Sequence, residues 1–187
     1  LAMHNYHAAL NSFPCGAAIG YLTTSSQGTP TGTREGWRVY ILPYLEQGNI
    51  HDRYDQAASI CDGVDSELSR LFVPVYSCPS DGRQPLDPNY IDTWRWRTAN
   101  YVGVAGSRRY EVCEQRHCGS WATDGVYFVL SGVRIGDISD GSSNTLAVGE
   151  QVNWLRVWTA GAYTTTLRRP WQHVCMFPAK NVVWPIN

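Results

Sequence analysis

The chain has 187 residues, 43% of them apolar and only 17% charged, with a formal net charge of −1. That length suits one domain with a real core, so 1–187 is taken as a single unit. A balance so near neutrality offers no basic face for nucleic acid or an anionic membrane. No run of about 18 apolar residues occurs, so no transmembrane helix is expected within the chain.

Lys180 is the only lysine, against fourteen Arg. Arg stacks on aromatic rings and forks onto carboxylates better than Lys does. With 8 Trp and 11 Tyr alongside, the composition suits either contact surfaces or a dense aromatic core.

In chain order, residues 1–12 read as helix, with Leu1, Ala2, His4, Asn5, Ala8, Ala9 and Leu10 allowing one face. Pro14 stops it by disfavouring helix at the residue before it. Residues 20–36, GYLTTSSQGTPTGTREG, form a loop of Thr, Ser, Gly and Pro. A second helix is expected over 37–47, where Trp37, Tyr40, Ile41, Tyr44 and Leu45 recur at spacings of three and four, and Pro43 implies a kink or a late start. A third short helix is expected over 64–71. Short strands follow at 73–78, 100–105, 125–130, 133–138, 145–150 and 152–158, separated by turn signals such as Pro79-Ser80-Asp81-Gly82. Helix first and sheet afterwards predicts an α+β fold: a helix over 1–12, loop and short helices over 13–72, and an antiparallel β-rich part with long loops over 73–187.

Six cysteines, Cys15, Cys61, Cys78, Cys113, Cys118 and Cys175, are candidates for three disulfides. The one close pair, Cys113 and Cys118 with His117 between them, is poorly spaced for structural zinc. An oxidising, extracellular or cell-surface location is therefore expected. Cys113 and Cys118 are the first pair to consider, because a four-residue gap can close a hairpin-like loop.

The turn DISDGSSNT is dense in oxygen donors. Asp137, Asp140, Ser142 and Asn144 could surround a hard cation such as calcium, although Gly is at the wrong offset for an EF-hand; the alternative is a plain Asx-type turn with Asp140-Gly141 at the bend. His4 and His7 lie three apart, with no obvious third ligand for zinc. In Trp94-Arg95-Trp96-Arg97 a strand would place both Trp on one face. Trp94 and Trp96, with Trp121, are candidates for sugar stacking or for a subunit interface, or they close over their own core. Thr23, Thr24, Thr29, Thr31 and Thr33 lie beside Pro and Gly in a loop and are candidate O-glycan acceptors, with a plain solvated loop as the alternative. No Asn-x-Ser/Thr sequon occurs. No nucleophile elbow, phosphate-binding loop or dinucleotide fingerprint appears, and no two carboxylates pair for acid–base work.

Five phrases in order, LAMHNYHAALNSFP, GWRVYILPYLEQGNIHDRYD, VYSCPSD, NYVGVAG and VRIGDISDGSSNTLAVGEQ, resemble the large family of prepilin-like secreted bacterial proteins abundant in planctomycetes, which look like the major pseudopilins of type II secretion. The resemblance runs from Leu1 to about Gln151. It implies a pilin-like fold and a basic leader and long apolar helix ahead of Leu1, with LAMHNYH closing that helix. The family's usual tail, a His followed about ten residues later by Asp-Gly, is absent before Asn187. Calcium in a late acidic loop is a further implication, for the phrase that holds Asp137, Asp140, Ser142 and Asn144. The function expected on this basis is a non-catalytic subunit of an extracellular filament, a helical homopolymer, with the Thr loops as candidate sites for covalent O-glycans. A secreted carbohydrate-binding module using exposed Trp is the alternative.

Overall fold

The computed structural model describes residues 1–20, 23–24, 30–31, 35–54, 66–82, 86, 95–107, 122–151, 157–159, 162–164, 174–176 and 179–182. Helix α1, Ala2–Leu10, opens the chain. Asn11 ends it in the left-handed conformation (φ 56°, ψ 23°), with its N–H returning to the His7 carbonyl at 2.7 Å, a closure that a short polar residue tolerates well. None of its residues is buried. Ala2, Met3 and Tyr6 rest against the core, and Tyr6 meets Tyr44 edge-on at 5.7 Å.

The stretch expected as one helix over 37–47 is helical in pieces. Helix α2, Trp37–Tyr40, gives way to a 3-10 turn, Leu42–Leu45, that carries Pro43 near its start. Proline has no N–H to continue the α-helical ladder, and its ring clashes with the preceding turn. Helix α3, Gly48–His51, follows. Of the helix expected over 64–71, α4 covers Ser66–Ser69; residues 64–65 lie outside the described residues, and 70–71 are not helical.

The strands are β1 (Ile19–Gly20), β2 (Thr23–Thr24), β3 (Pro30–Thr31), β4 (Tyr101–Gly106), β5 (Val148–Glu150), β6 (Ala162–Thr164), β7 (Val174–Met176) and β8 (Ala179–Asn181). Strands β2 and β3 pair antiparallel within the stretch read as loop. The order of one sheet is β1-β6-β7 and of the other β5-β4-β8. The expected sheet is antiparallel, but both sheets are mixed. β4 runs antiparallel to β5, with Tyr101 opposite Glu150, and parallel to β8, with Gly103 opposite Ala179; β1 runs parallel to β6. Parallel partners need a long crossover rather than a tight turn, so no local signal announces them. Short helices beside small mixed sheets make the class α+β.

Three expected strands are not strands. Over 73–78 the chain forms a 3-10 turn, Pro74–Tyr76, which Pro74 starts because its fixed φ suits a first helical position. Over 125–130 it is irregular: Gly125 and Tyr127 donate to Ala105 and Val104, Val129 makes one bridge to Ala17, and Leu130 turns left-handed at φ 57°. Over 133–138 a 3-10 turn, Ile135–Asp137, replaces extended chain, with Asp137 capping its start. The strand expected over 145–150 is confined to β5. Of 152–158, residues 152–156 lie outside the described residues and Val157 bridges Thr98.

The core is a column of aromatic rings. Phe13 meets Tyr127 at 6.2 Å, Tyr127 meets Trp37 at 5.5 Å, Trp37 meets Tyr76 at 6.5 Å, and Tyr76 meets Trp158 at 6.0 Å between centroids. The column joins the α1 end of the domain to the 157–159 segment. Beside it, Asn100 ties three segments: its Oδ1 accepts the Cys78 N–H at 3.0 Å, and its Nδ2 donates to Asp81 at 2.6 Å and to the Gln151 carbonyl at 3.2 Å.

Gly16 shows how tightly the column is clamped. A Cβ there would lie 2.3 Å from the Tyr127 carbonyl carbon and 2.6 Å from the Phe128 oxygen. Both are backbone atoms and cannot rotate away. We expect Gly16→Ala to lower unfolding free energy by at least about 1–3 kcal/mol, the usual cost of overpacking, measured by urea denaturation.

Burial also raises the pKa of Tyr40, Tyr76 and Tyr127 above the ordinary phenol value. A folded pKa above the unfolded one contributes stability that is full below about pH 10 and is lost as pH rises toward the folded value. Arg38 works the other way, because burial lowers its pKa to about 10 and the unfolded chain then binds more protons above that pH. Three phenols outweigh one guanidinium. The melting temperature should therefore fall steeply above about pH 10, and a flat alkaline profile would contradict the column's burial.

Candidate functional site

The segment from Glu35 to Tyr40 places polar chemistry inside the core. Its backbone is fixed at both ends of the glycine turn before α2: Ala18 N–H bonds the Glu35 carbonyl at 2.9 Å, and Trp37 N–H bonds the Gly16 carbonyl at 3.2 Å. Glu35 is only 3% exposed. Its Oε1 accepts the Tyr40 hydroxyl at 2.8 Å, while Oε2 has no hydrogen-bond partner among the described residues. The Tyr40 phenol holds its proton firmly, first because it is buried and then because the Glu35 charge opposes ionisation. Half-buried Cys15 lies in the same neighbourhood, its thiol pKa pushed up mainly by burial and, to a smaller extent, by Glu35. A thiol held protonated is a poor nucleophile. Tyr6, raised by burial, Tyr44 and Cys15 in that order, completes the group under α1.

On the other side of α2, Arg38 is 1% exposed. Its backbone carbonyl accepts the Tyr76 hydroxyl, and its guanidinium carbon lies 6.0 Å from the Trp37 ring centroid. Its Nε and Nη2 have no hydrogen-bond partner among the described residues. Burial lowers its pKa to about 10, with Tyr76 acting in the opposite direction. Neither Glu35 nor Arg38 figures among the residues that sequence reading singled out. The available signal was two charges in or beside the apolar run GWRVYIL.

The residues picked from sequence are scattered. Asp137 Oδ2 accepts the Arg134 N–H at 2.9 Å, and Asp140 Oδ1 accepts the Thr145 hydroxyl at 3.1 Å. Asn144 donates its amide to the Asp140 carbonyl at 2.9 Å. Ser142 opens a 3-10 turn, Ser142–Asn144, after Gly141 at φ 87°. The donors thus brace an exposed turn. No group of three or more His, Cys, Asp or Glu able to hold a metal ion occurs among the described residues. His4 and His7 pack their rings on Phe13, and His7 Nε2 accepts the Ile135 N–H at 3.2 Å.

Arg95 takes φ 54°, so 95–97 does not run as a regular strand. Trp96 is buried at 8% exposure, and Arg97 stacks over Phe72 at 5.8 Å. Trp94 and Trp121 lie outside the described residues, as do Cys61, Cys113, Cys118, Thr29 and Thr33. Cys15 and Cys78 are free thiols; Cys175 sits in β7. Thr23 pairs with Thr31, and Thr24 with Pro30, in the antiparallel β2–β3 pair.

Because the acidic turn is braced by its own hydrogen bonds, Asp140→Ala should cost up to about 1 kcal/mol in stability, the worth of one or two exposed hydrogen bonds. The loss should be the same in calcium and in chelator, read from urea midpoints. A midpoint that moves with calcium in the unmutated chain and not in the variant would show a cation in the turn.

No curated protein and no solved structure matches the chain. A family model, SBP_bac_10, described as a protein of unknown function (DUF1559), matches residues 1–181. That span takes in the aromatic column, the Asn100 junction and the Glu35–Tyr40 segment, and the chain belongs to this family.

Proposed function

We propose that the chain is a non-catalytic structural subunit of an extracellular filament or pilus-like fibre, joined to copies of itself. The observation that carries this reading is the state of α1. It lies at the surface with no residue buried, yet it bears Leu10 at 57% exposure. Ile135, 40% exposed, sits next to it through the His7 hydrogen bond. Apolar groups left uncovered on a helix are what a neighbouring subunit would cover. Contacts that repeat head to tail generate open helical polymers.

The chemistry of the interior is in keeping with this. Tyr40, Tyr76, Tyr127 and Cys15, buried or half-buried, hold their protons more tightly than usual, and Arg38, lowered to about 10, still lies well above neutrality, whereas acid–base catalysts are tuned toward the working pH. The carbohydrate-binding alternative relies on Trp94, Trp96 and Trp121 as a stacking platform, and the burial of Trp96 removes one of the three. The pilin-like architecture, the extracellular location and O-glycans belong to the proposal as its expected setting.

Full-length protein purified from its native host should show fibres in negative stain. Leu10→Asp should shift the material at least tenfold toward monomer at equal concentration, by light scattering, while the melting temperature changes little because Leu10 is exposed. Monodisperse monomer from full-length protein at high concentration would end the proposal.

A further inference from the structure

Residues 72–75 are Phe72, Val73, Pro74 and Val75, apolar throughout, and only Val73 among them is buried. The 3-10 turn Pro74–Tyr76 is the reason. With three residues per turn, positions three apart share a face, so Val73 and Tyr76 both enter the core. Phe72, Pro74 and Val75 are left outside, with Phe72 47% and Val75 51% exposed. Neighbouring apolar groups that a turn holds in solvent mark a contact surface. Arg97 stacks over the Phe72 ring at 5.8 Å and gives the patch a cationic edge.

This patch and the α1 surface lie at the two ends of the aromatic column. At one end His4 and His7 of α1 pack on Phe13. At the other, Trp158 donates its indole N–H to the Leu71 carbonyl at 3.1 Å, immediately before Phe72. The two surfaces differ in charge. Arg70 precedes Phe72 by two residues and Arg95 precedes Arg97 by two, while Glu67 nearby already holds Arg53 at 3.1 Å. Beside α1, Asp137 and Asp140 follow Ile135, and Glu46 ends the turn whose Tyr44 meets Tyr6; all three acids are exposed, with Arg134 as the opposing charge.

We propose that the patch at 72–75 is the receiving surface for helix α1 of a second copy of this chain. The assignment rests on the filament reading and gives the subunit contact two different faces. A contact between unlike patches leaves one patch of each kind free at the growing ends, so it repeats. Two α1 surfaces that paired with each other would instead close as a dimer. Charge favours the unlike arrangement, because Arg70, Arg95 and Arg97 then face Asp137, Asp140 and Glu46 rather than their own copies. Leu10 and Ile135 of one subunit cover Phe72 and Val75 of the next.

The test uses two full-length variants: Leu10→Asp spoils the α1 surface and Phe72→Asp spoils the receiving one. Each alone should lose at least about tenfold in polymer by light scattering, at a melting temperature close to that of the unmutated chain. Mixed in equal amounts they should form a dimer and nothing longer, because each supplies the patch that the other lacks. Val75→Asp should behave as Phe72→Asp does and takes its place if Phe72→Asp does not fold. Undiminished fibres from Phe72→Asp and Val75→Asp would overturn the receiving surface and leave the filament standing. A mixture that stays monomeric, or Leu10→Asp that dimerises by itself, would overturn the pairing of unlike patches. An unmutated chain that forms no fibre would overturn the filament reading, and the receiving surface with it.

Discussion

The fold depends on the contact between Tyr127 and Trp37, whose rings lie 5.5 Å apart. Tyr127 comes from an irregular segment with little hydrogen-bonded structure of its own, and it is held from three sides. Gly16 abuts its backbone, Gly103 of β4 abuts its Cβ, and its hydroxyl meets Met3 Sδ of α1 at 2.9 Å. Both glycines are required by space, since a Cβ at Gly103 would come within 2.6 Å of the Tyr127 Cβ. Trp37 then passes the contact on to Tyr76 and Trp158. Offset and edge-on rings add to the area they bury, so the column binds short elements that could not stand alone.

Segments distant in sequence meet around that column, and apart from those of Tyr127 and Trp158 they are the segments whose phrases carry the family resemblance. Phe13 ends the first, Trp37 and Arg38 lie in the second, and Tyr76, Cys78 and Asp81 lie in the third. Asn100 begins the fourth and Gln151 closes the fifth. The side chain of Asn100 touches the third and the fifth at once, while its backbone N–H bonds the Tyr76 carbonyl at 2.8 Å. An amide is suited to this position because it donates and accepts together. These phrases therefore supply much of the centre of the domain, with Tyr127 and Trp158 contributed from outside them.

This explains what could be read in advance. Helix α1 was legible because its stop is local: Asn11 and Pro14 act within one turn. The break at Pro43 was legible for the same reason, and so was β4, whose small and β-branched residues fit a packed strand. The parallel pairings of β4 with β8 and of β1 with β6 were not legible, because they are chosen by packing between residues far apart. The apolar runs at 73–78 and 125–130 look like strands by composition, but each is fixed by one buried tyrosine rather than by a ladder. The buried charges were missed because their partners, Tyr40 for Glu35 and Tyr76 for the Arg38 backbone, are visible only once α2 is placed.

Helix α1 is attached to the domain by few contacts of well-defined direction. Tyr6 meets Tyr44, Met3 takes the Tyr127 hydroxyl, and His7 takes the Ile135 N–H. All three lie on the inward side, and the Phe13 N–H bond to Val133 fixes the chain just after the helix. Such an arrangement aims the helix without covering it. A subunit that joins others through a helix needs that combination: loose attachment would cost entropy on every association, and full burial would leave nothing to contact. Tethering α1 to the aromatic column through Met3 and Tyr127 makes the orientation of the helix a property of the core.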